Sequence, residues 1–236
     1  MSDEFELVSP MKEQELPVAP LEVPVVPTVT KIYFILDRSD SMKVCKKPTI
    51  DGFNSFLETQ SQKVGGDQAL FSLYQFNQNT TLCYSNMTGD QVPRLTEETF
   101  LPDGCTALYD AIGTTISAII PQDHETIIVV ILTDGQENSS RTYSAPKIKS
   151  LISEKSELGW EFVYLGANQD AILVSGALGI SPGTAMTFTQ DGPHTERCFK
   201  SLNELLTTHR TTKTDPVAQS APPRLEFTAQ DRHKCL

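Results

Sequence analysis

The sequence contains no apolar run of the roughly 18 residues that a membrane-spanning helix needs, so no transmembrane segment is expected. Its first residues, Met1-Ser2-Asp3-Glu4-Phe5-Glu6, have neither the basic start nor the apolar stretch of a secretory leader. Positive charge is scarce: 19 Lys and Arg stand against 30 Asp and Glu, for a formal net charge of -11. Such a chain repels phosphate backbones and anionic membrane surfaces, which sets nucleic acid aside as a partner. The five cysteines, Cys45, Cys83, Cys105, Cys198 and Cys235, include no CxxC pair and no histidine at zinc-ligand spacing. An odd, scattered set reads as reduced, buried thiols, and hence as an intracellular location, cytoplasmic or inside a virion assembled there. There is no P-loop, no nucleophile–histidine constellation and no internal repeat.

What is present suits one domain with a tail at each end. Of 236 residues, 39% are hydrophobic, enough for a sizeable core. Residues 1–30 hold five prolines and six acids against one lysine, which predicts an extended, acidic arm. Apolar residues recur in it from Leu16 to Val26, so it reads either as a linker or as a strand added to a neighbour's sheet edge. Residues 209–236 carry five bases and three acids and read as a basic, Thr- and Pro-containing tail.

Between them, residues 31–208 alternate strands and helices. Ile32 to Leu36 and Thr126 to Leu132 are near-continuous apolar runs, the pattern of strands buried on both faces. Ala69 to Phe76 followed by a turn and Thr81 to Tyr84 predicts a hairpin, with its second strand antiparallel at the edge. Trp160–Leu165 and Ala185–Thr189 read as further strands. Helices are expected over about 50–62, Ala107–Ile120, Ser144–Leu158 with Ser144 as N-cap, Asp170–Leu178 and Thr195–Thr208. This order predicts an α/β fold: a doubly wound, mostly parallel sheet of about six strands with one antiparallel edge strand and helices on both faces.

Ligands in such sheets collect where the strands end. Asp37-Arg38-Ser39-Asp40-Ser41 follows the first buried strand, Thr133-Asp134-Gly135 follows the central one, and Gly104-Cys105-Thr106 precedes the second helix. Each places small oxygen-bearing side chains in a loop entering a helix. The residue types suit a hard divalent cation, which takes oxygen ligands and keeps several waters. Two carboxylates, Asp37 and Asp134, only balance a +2 ion, so it stays electrophilic towards an outside carboxylate. Cys105 reads as a small half-buried residue, Asp110 and Asp123 as surface residues, and His124 and His194 as loop or helix-end residues.

Asp-x-Ser-x-Ser at 37–41, Thr106 in Gly-x-Thr-Ala-Leu-Tyr-Asp, and Leu132-Thr133-Asp134-Gly135 together resemble the metal-ion-dependent adhesion site of von Willebrand factor A domains. The resemblance covers roughly residues 30–208 and implies a Rossmann-like fold. It implies that Ser39 and Ser41 bind Mg²⁺ (or Mn²⁺) directly, Thr106 directly or through water, and that Asp37 and Asp134 hold coordinated waters. It also implies a non-enzymatic protein-binding module whose partner completes the metal shell with an Asp or Glu. Residues 138–141 and 166–170 resemble stretches of bacterial, phage and large-virus members. Many members have Gly where this chain has Asp40, which is expected to add a third negative charge beside the metal. A second reading is a structural component of a large viral or phage particle, with the two tails holding neighbouring subunits. Catalysis fits poorly. A phosphatase of the haloacid dehalogenase type needs a second carboxylate two residues after the first, and position 39 is Ser.

Overall fold

The structure is a computed structural model that describes residues 29–64, 66–214 and 225–236. The expected N-terminal arm, including the stretch from Leu16 to Val26, lies almost wholly outside the described residues.

The order of elements is β1 (Val29–Asp37), α1 (Lys46–Gln60), β2 (Gln68–Phe76), β3 (Thr80–Thr88), α2 (Leu108–Ala118), β4 (Glu125–Thr133), α3 (Ala145–Glu157), β5 (Glu161–Ala167), α4 (Ala171–Ala177), β6 (Ala185–Phe188), α5 (Gly192–Thr214) and α6 (Ala229–Lys234). The strands form one sheet in the order β3-β2-β1-β4-β5-β6. All neighbours are parallel except β3, which pairs antiparallel with β2 at the edge. The expected architecture is therefore the observed one.

Strand β1 is central, and its alternation explains the two layers. Ile32, Phe34 and Leu36 face α1 and α5, where Phe34 meets Phe53 edge-on at 5.1 Å between ring centroids and Phe56 at 5.5 Å. Tyr33 and Ile35 face the opposite cluster, built with Ile112 and Ile116 of α2, and Ile148 and Ile152 of α3. Both faces are buried, which is why the strand reads as one apolar run rather than an alternation. Helices α1 and α5 come close at Gly52. A methyl group there would lie 2.2 Å from the Phe199 ring.

Several boundaries move. Helix α1 begins at Lys46, four residues earlier than expected, with Pro48 in its first turn, where a missing N–H costs nothing. Ser144 occupies the N-cap position of α3, but its side chain makes no capping hydrogen bond. Three of the cysteines are buried, whereas Cys83 and Cys105 are exposed, so the expectation of uniformly buried thiols, and of a half-buried Cys105, is corrected.

The largest difference is at the expected C-terminal boundary. Helix α5 runs six residues past 208, because Arg210 is a core residue: it is 1% exposed. Its Nε donates to Asp67 Oδ2 at 2.6 Å, and its Nη1 donates to the Gln60 carbonyl at 2.7 Å. Asp67 also accepts from Thr30 Oγ1 at 2.9 Å, which ties the start of β1 into the same network. Residues 225–236 likewise join the domain. Leu225, Phe227 and Cys235 are buried in the core, the Phe227 N–H donates to the Gly183 carbonyl at 2.9 Å, and Arg232 donates to the Pro182 carbonyl at 2.8 Å. Thr228 and Asp231 form a reciprocal capping box on α6.

Removing one member of a buried ion pair leaves the other uncompensated, which typically costs about 3–5 kcal/mol. Arg210→Ala is expected to lose stability of that order in urea denaturation, and Arg210→Ala with Asp67→Leu to recover part of it. A single-variant loss below about 1 kcal/mol, the level of an exposed pair, would show that this pair does not hold the end of α5.

Candidate metal centre

Parallel register places the ends of β1 and β4 side by side, with Leu36 opposite Leu132. The next residues, Asp37 and Thr133, therefore meet at the point where the chain leaves the sheet in two directions, α1 after β1 covering one face and α3 after β4 the other. Asp37 is fully buried. Its Oδ1 accepts the Ser39 N–H at 2.7 Å and its Oδ2 accepts Thr133 Oγ1 at 2.5 Å. The first bond turns the chain sharply after β1. Ser39 is thereby buried, and Ser41 follows within a short 3-10 turn, Asp40–Lys43.

The two serine hydroxyls lie 3.2 Å apart, and Ser41 Oγ donates to Asp134 Oδ1 at 2.6 Å. Ser39, Ser41, Thr106 and Asp134 line one cleft, with Asp40, Gly104, Gly135 and Asn138 around them. Thr106 reaches it because Gly135 has no side chain: a Cβ there would lie 2.7 Å from Thr106 Oγ1. Thr106 is also fixed by its backbone, its N–H donating to Asn138 Oδ1 and its carbonyl accepting the Asn138 N–H, both at 3.0 Å. The loop before it is stitched to the first, with the Asp40 N–H on the Gly104 carbonyl at 3.0 Å and the Asp103 N–H on the Arg38 carbonyl at 2.8 Å. The five residues singled out in the sequence thus come together, Asp37 beneath the cleft and the other four on its walls.

Burial pushes the Asp37 carboxyl up to about 6. Hydrogen bonds from Thr133 and Ser39 partly oppose the rise, and the nearby Asp134 charge adds to it. Asp134 is also raised, chiefly by burial, against hydrogen bonds from Ser41 and Gln190. Two carboxylates held together in a poorly solvated place, with three hydroxyls at the cleft, make a donor set that fits a divalent cation with oxygen preference. No cluster of three His, Cys, Asp or Glu side chains with metal-binding geometry occurs among the described residues, so a site here depends on the hydroxyls.

Other expectations change. Asp40 lines the rim of the cleft and pairs with Lys43, both side chains being largely exposed, so the third negative charge is partly offset there by a cation. Asp110 is structural: it accepts the N–H groups of Arg141, Thr142 and Tyr143 at 2.8–2.9 Å. Glu137 likewise accepts from Ser139, Ser140 and Tyr109 N–H, which holds loop 136–143 over the start of α2. Sequence reasoning missed Thr133, Asn138 and Gln190 as site residues. Thr133 and Asn138 lay in stretches already marked, whereas Gln190 lies in a Thr189-Gln190-Asp191-Gly192 turn that carries no motif.

No protein-family model matches the chain, and no curated protein matches it. Among solved structures it is similar to proximal thread matrix protein 1 from the mussel byssus, at 19% identity over 76% of this chain and 46% of that one, with a TM-score of 0.56. The same mussel protein with a zinc-occupied MIDAS motif matches at 18% identity over 77% of this chain and 46% of that one, with a TM-score of 0.57. The fold is the von Willebrand A fold. The match spans less than half of the mussel chain, and at this identity the likeness of the von Willebrand A folds is one of architecture alone.

The raised Asp37 carboxyl has a stability consequence in metal-free protein. A carboxyl whose folded value lies above its unfolded value stabilises the fold fully below the unfolded value and loses that contribution as pH rises through about 6. With chelator present, wild-type stability is therefore expected to fall between pH 4 and pH 7 by up to about 3 kcal/mol, and Asp37→Asn to flatten that slope. Parallel pH profiles for the two proteins in urea melts would assign the dependence to another group.

Proposed function

We propose that the chain is a von Willebrand A domain that binds a protein partner through a divalent cation, Mg²⁺ or Mn²⁺. The observation that carries this reading is the hydrogen-bonded run from Asp37 through Ser39 and Ser41 to Asp134 at the ends of β1 and β4. Ser39, Ser41 and Thr106 would offer hydroxyl oxygens, and Asp37 and Asp134 the two negative charges that balance the ion. When bound, such an ion supplies an electrophilic position that an outside Asp or Glu can complete. Ser39 and Thr106 are buried, so their oxygens are held in place before any partner arrives. The rim pair Asp40–Lys43 leaves the approach to the cleft less acidic than its sequence suggests. The stretches at 138–141 and 166–170 favour kinship with bacterial, phage and large-virus members.

Binding fits the site better than catalysis does. A nucleophilic Asp needs a free oxygen facing a substrate, and Asp37 is fully buried with both oxygens accepting hydrogen bonds. Position 39 supplies a hydroxyl, not the second carboxylate that phosphoaspartyl chemistry uses as general acid.

Millimolar Mg²⁺ or Mn²⁺ is expected to raise the melting temperature of the full chain. Saturation at a hundred times Kd contributes about 2.7 kcal/mol, which corresponds to roughly 5–10 °C for a domain of this size. Ser41→Ala should reduce the shift and Asp37→Ala abolish it. Absence of any shift in the wild type would sink the metal-dependent reading.

A further inference from the structure

Each carboxylate of the cleft has both oxygens committed to neutral donors. Asp37 accepts from the Ser39 N–H and Thr133 Oγ1, and Asp134 accepts from Ser41 Oγ and Gln190 Nε2. Two of these donors belong to the loop that follows β1, and a third, Thr133, is the last residue of β4. The fourth comes from the loop after β6, which no motif marks.

Gln190 is held for this task on every side. Its Oε1 accepts Asn168 Nδ2 at 2.9 Å, and its backbone N–H donates to Asn168 Oδ1 at 3.1 Å. With the oxygen so occupied, the amide nitrogen is the end that faces the cleft. There Nε2 reaches Asp134 Oδ2 and also the Ser41 carbonyl at 3.1 Å. Asn168 can answer both groups because it sits at φ 50, in the left-handed region that Asn tolerates better than most residues. Its own N–H donates to the Phe188 carbonyl at 3.0 Å, which anchors the pair to β6.

This arrangement restricts how Asp134 can meet a cation. Turning both carboxylate oxygens onto one ion would strip Oδ2 from Gln190. Ca²⁺ takes six to eight oxygens and readily uses bidentate carboxylates, whereas Mg²⁺ and Mn²⁺ suit six-coordinate sites that keep waters. We propose that Gln190 is the specificity-determining residue of the site: by tying down Asp134 Oδ2 it selects Mg²⁺ and Mn²⁺ over Ca²⁺. Asn168 is a positioning residue that acts through Gln190. The inference rests on the metal-binding reading above and adds to it the residue that sets ion choice.

The test is calorimetric titration of the metal-free full chain with MgCl₂ and with CaCl₂, for wild type, Gln190→Leu and Asn168→Gly. Glycine at 168 keeps the positive φ and removes the carboxamide. Wild type is expected to prefer Mg²⁺. Loss of such an outer partner typically changes metal affinity by about 10–100-fold. In Gln190→Leu the Mg²⁺ to Ca²⁺ affinity ratio should move at least about tenfold towards Ca²⁺, with Asn168→Gly moving it the same way by less. A cooperative metal-free melt for each variant shows that it is folded before the titrations are compared. The electron paramagnetic resonance spectrum of bound Mn²⁺ should also differ between wild type and Gln190→Leu. An unchanged ratio, including a parallel loss of both affinities, overturns the inference while leaving metal binding intact. A wild type that binds neither ion overturns the metal reading and the inference together.

Discussion

Asp37 stands at the end of the central strand, shut off from water, with Ser39 N–H on one oxygen and Thr133 Oγ1 on the other. Those two bonds set much of the cleft. The first bends the chain so that Ser39 and Ser41 turn to the same side. The second joins the end of β1 to the end of β4, which carries Asp134 into reach of Ser41. Thr106 then needs only the close approach that Gly135 allows. A carboxylate buried this deeply resists ionisation, so the residues that shape the loops also create a demand for positive charge at one point.

Much of this was legible in the sequence, for local reasons. Ile32 to Leu36 is buried on both faces and so reads as a strand without alternation. The oxygen-bearing residues follow strand ends, where open α/β sheets keep their ligands. The residues that escaped are those whose partners are remote in the chain. Arg210 looks like a solvated residue near a polar tail until Asp67, 143 residues away, is placed beside it. Leu225, Phe227 and Cys235 are too sparse among polar neighbours to announce a packed segment, yet each is buried. Gln190 sits in a turn of ordinary composition, and its role depends on Asn168 and Asp134, 22 and 56 residues away. Asp40 misled in the opposite sense. Its charge was visible, but its pairing with Lys43 one turn on was not.

The two ends of the sheet answer the same physical problem differently. Beneath β1 the buried Asp67 meets a cation supplied by the protein, Arg210, and the pair fastens the end of α5 to the start of β2. At the opposite end of β1, Asp37 and Asp134 accept, among the described residues, from neutral groups: a backbone amide, two hydroxyls and a carboxamide. Neutral donors hold a carboxylate in position without cancelling its charge, which is why burial still raises both groups. If the role of Asp37 were only to fasten loops, a lysine or arginine nearby would serve better, as Arg210 does below, and an asparagine would serve without any charge. Two acids kept close, one fully and one partly buried, and without a cation hydrogen-bonded to them among the described residues, are destabilising in the metal-free protein. That arrangement has a physical rationale when the balancing charge comes from outside the chain, and it is this contrast between the two ends of the sheet, more than the motif, that argues for a cation at the upper end.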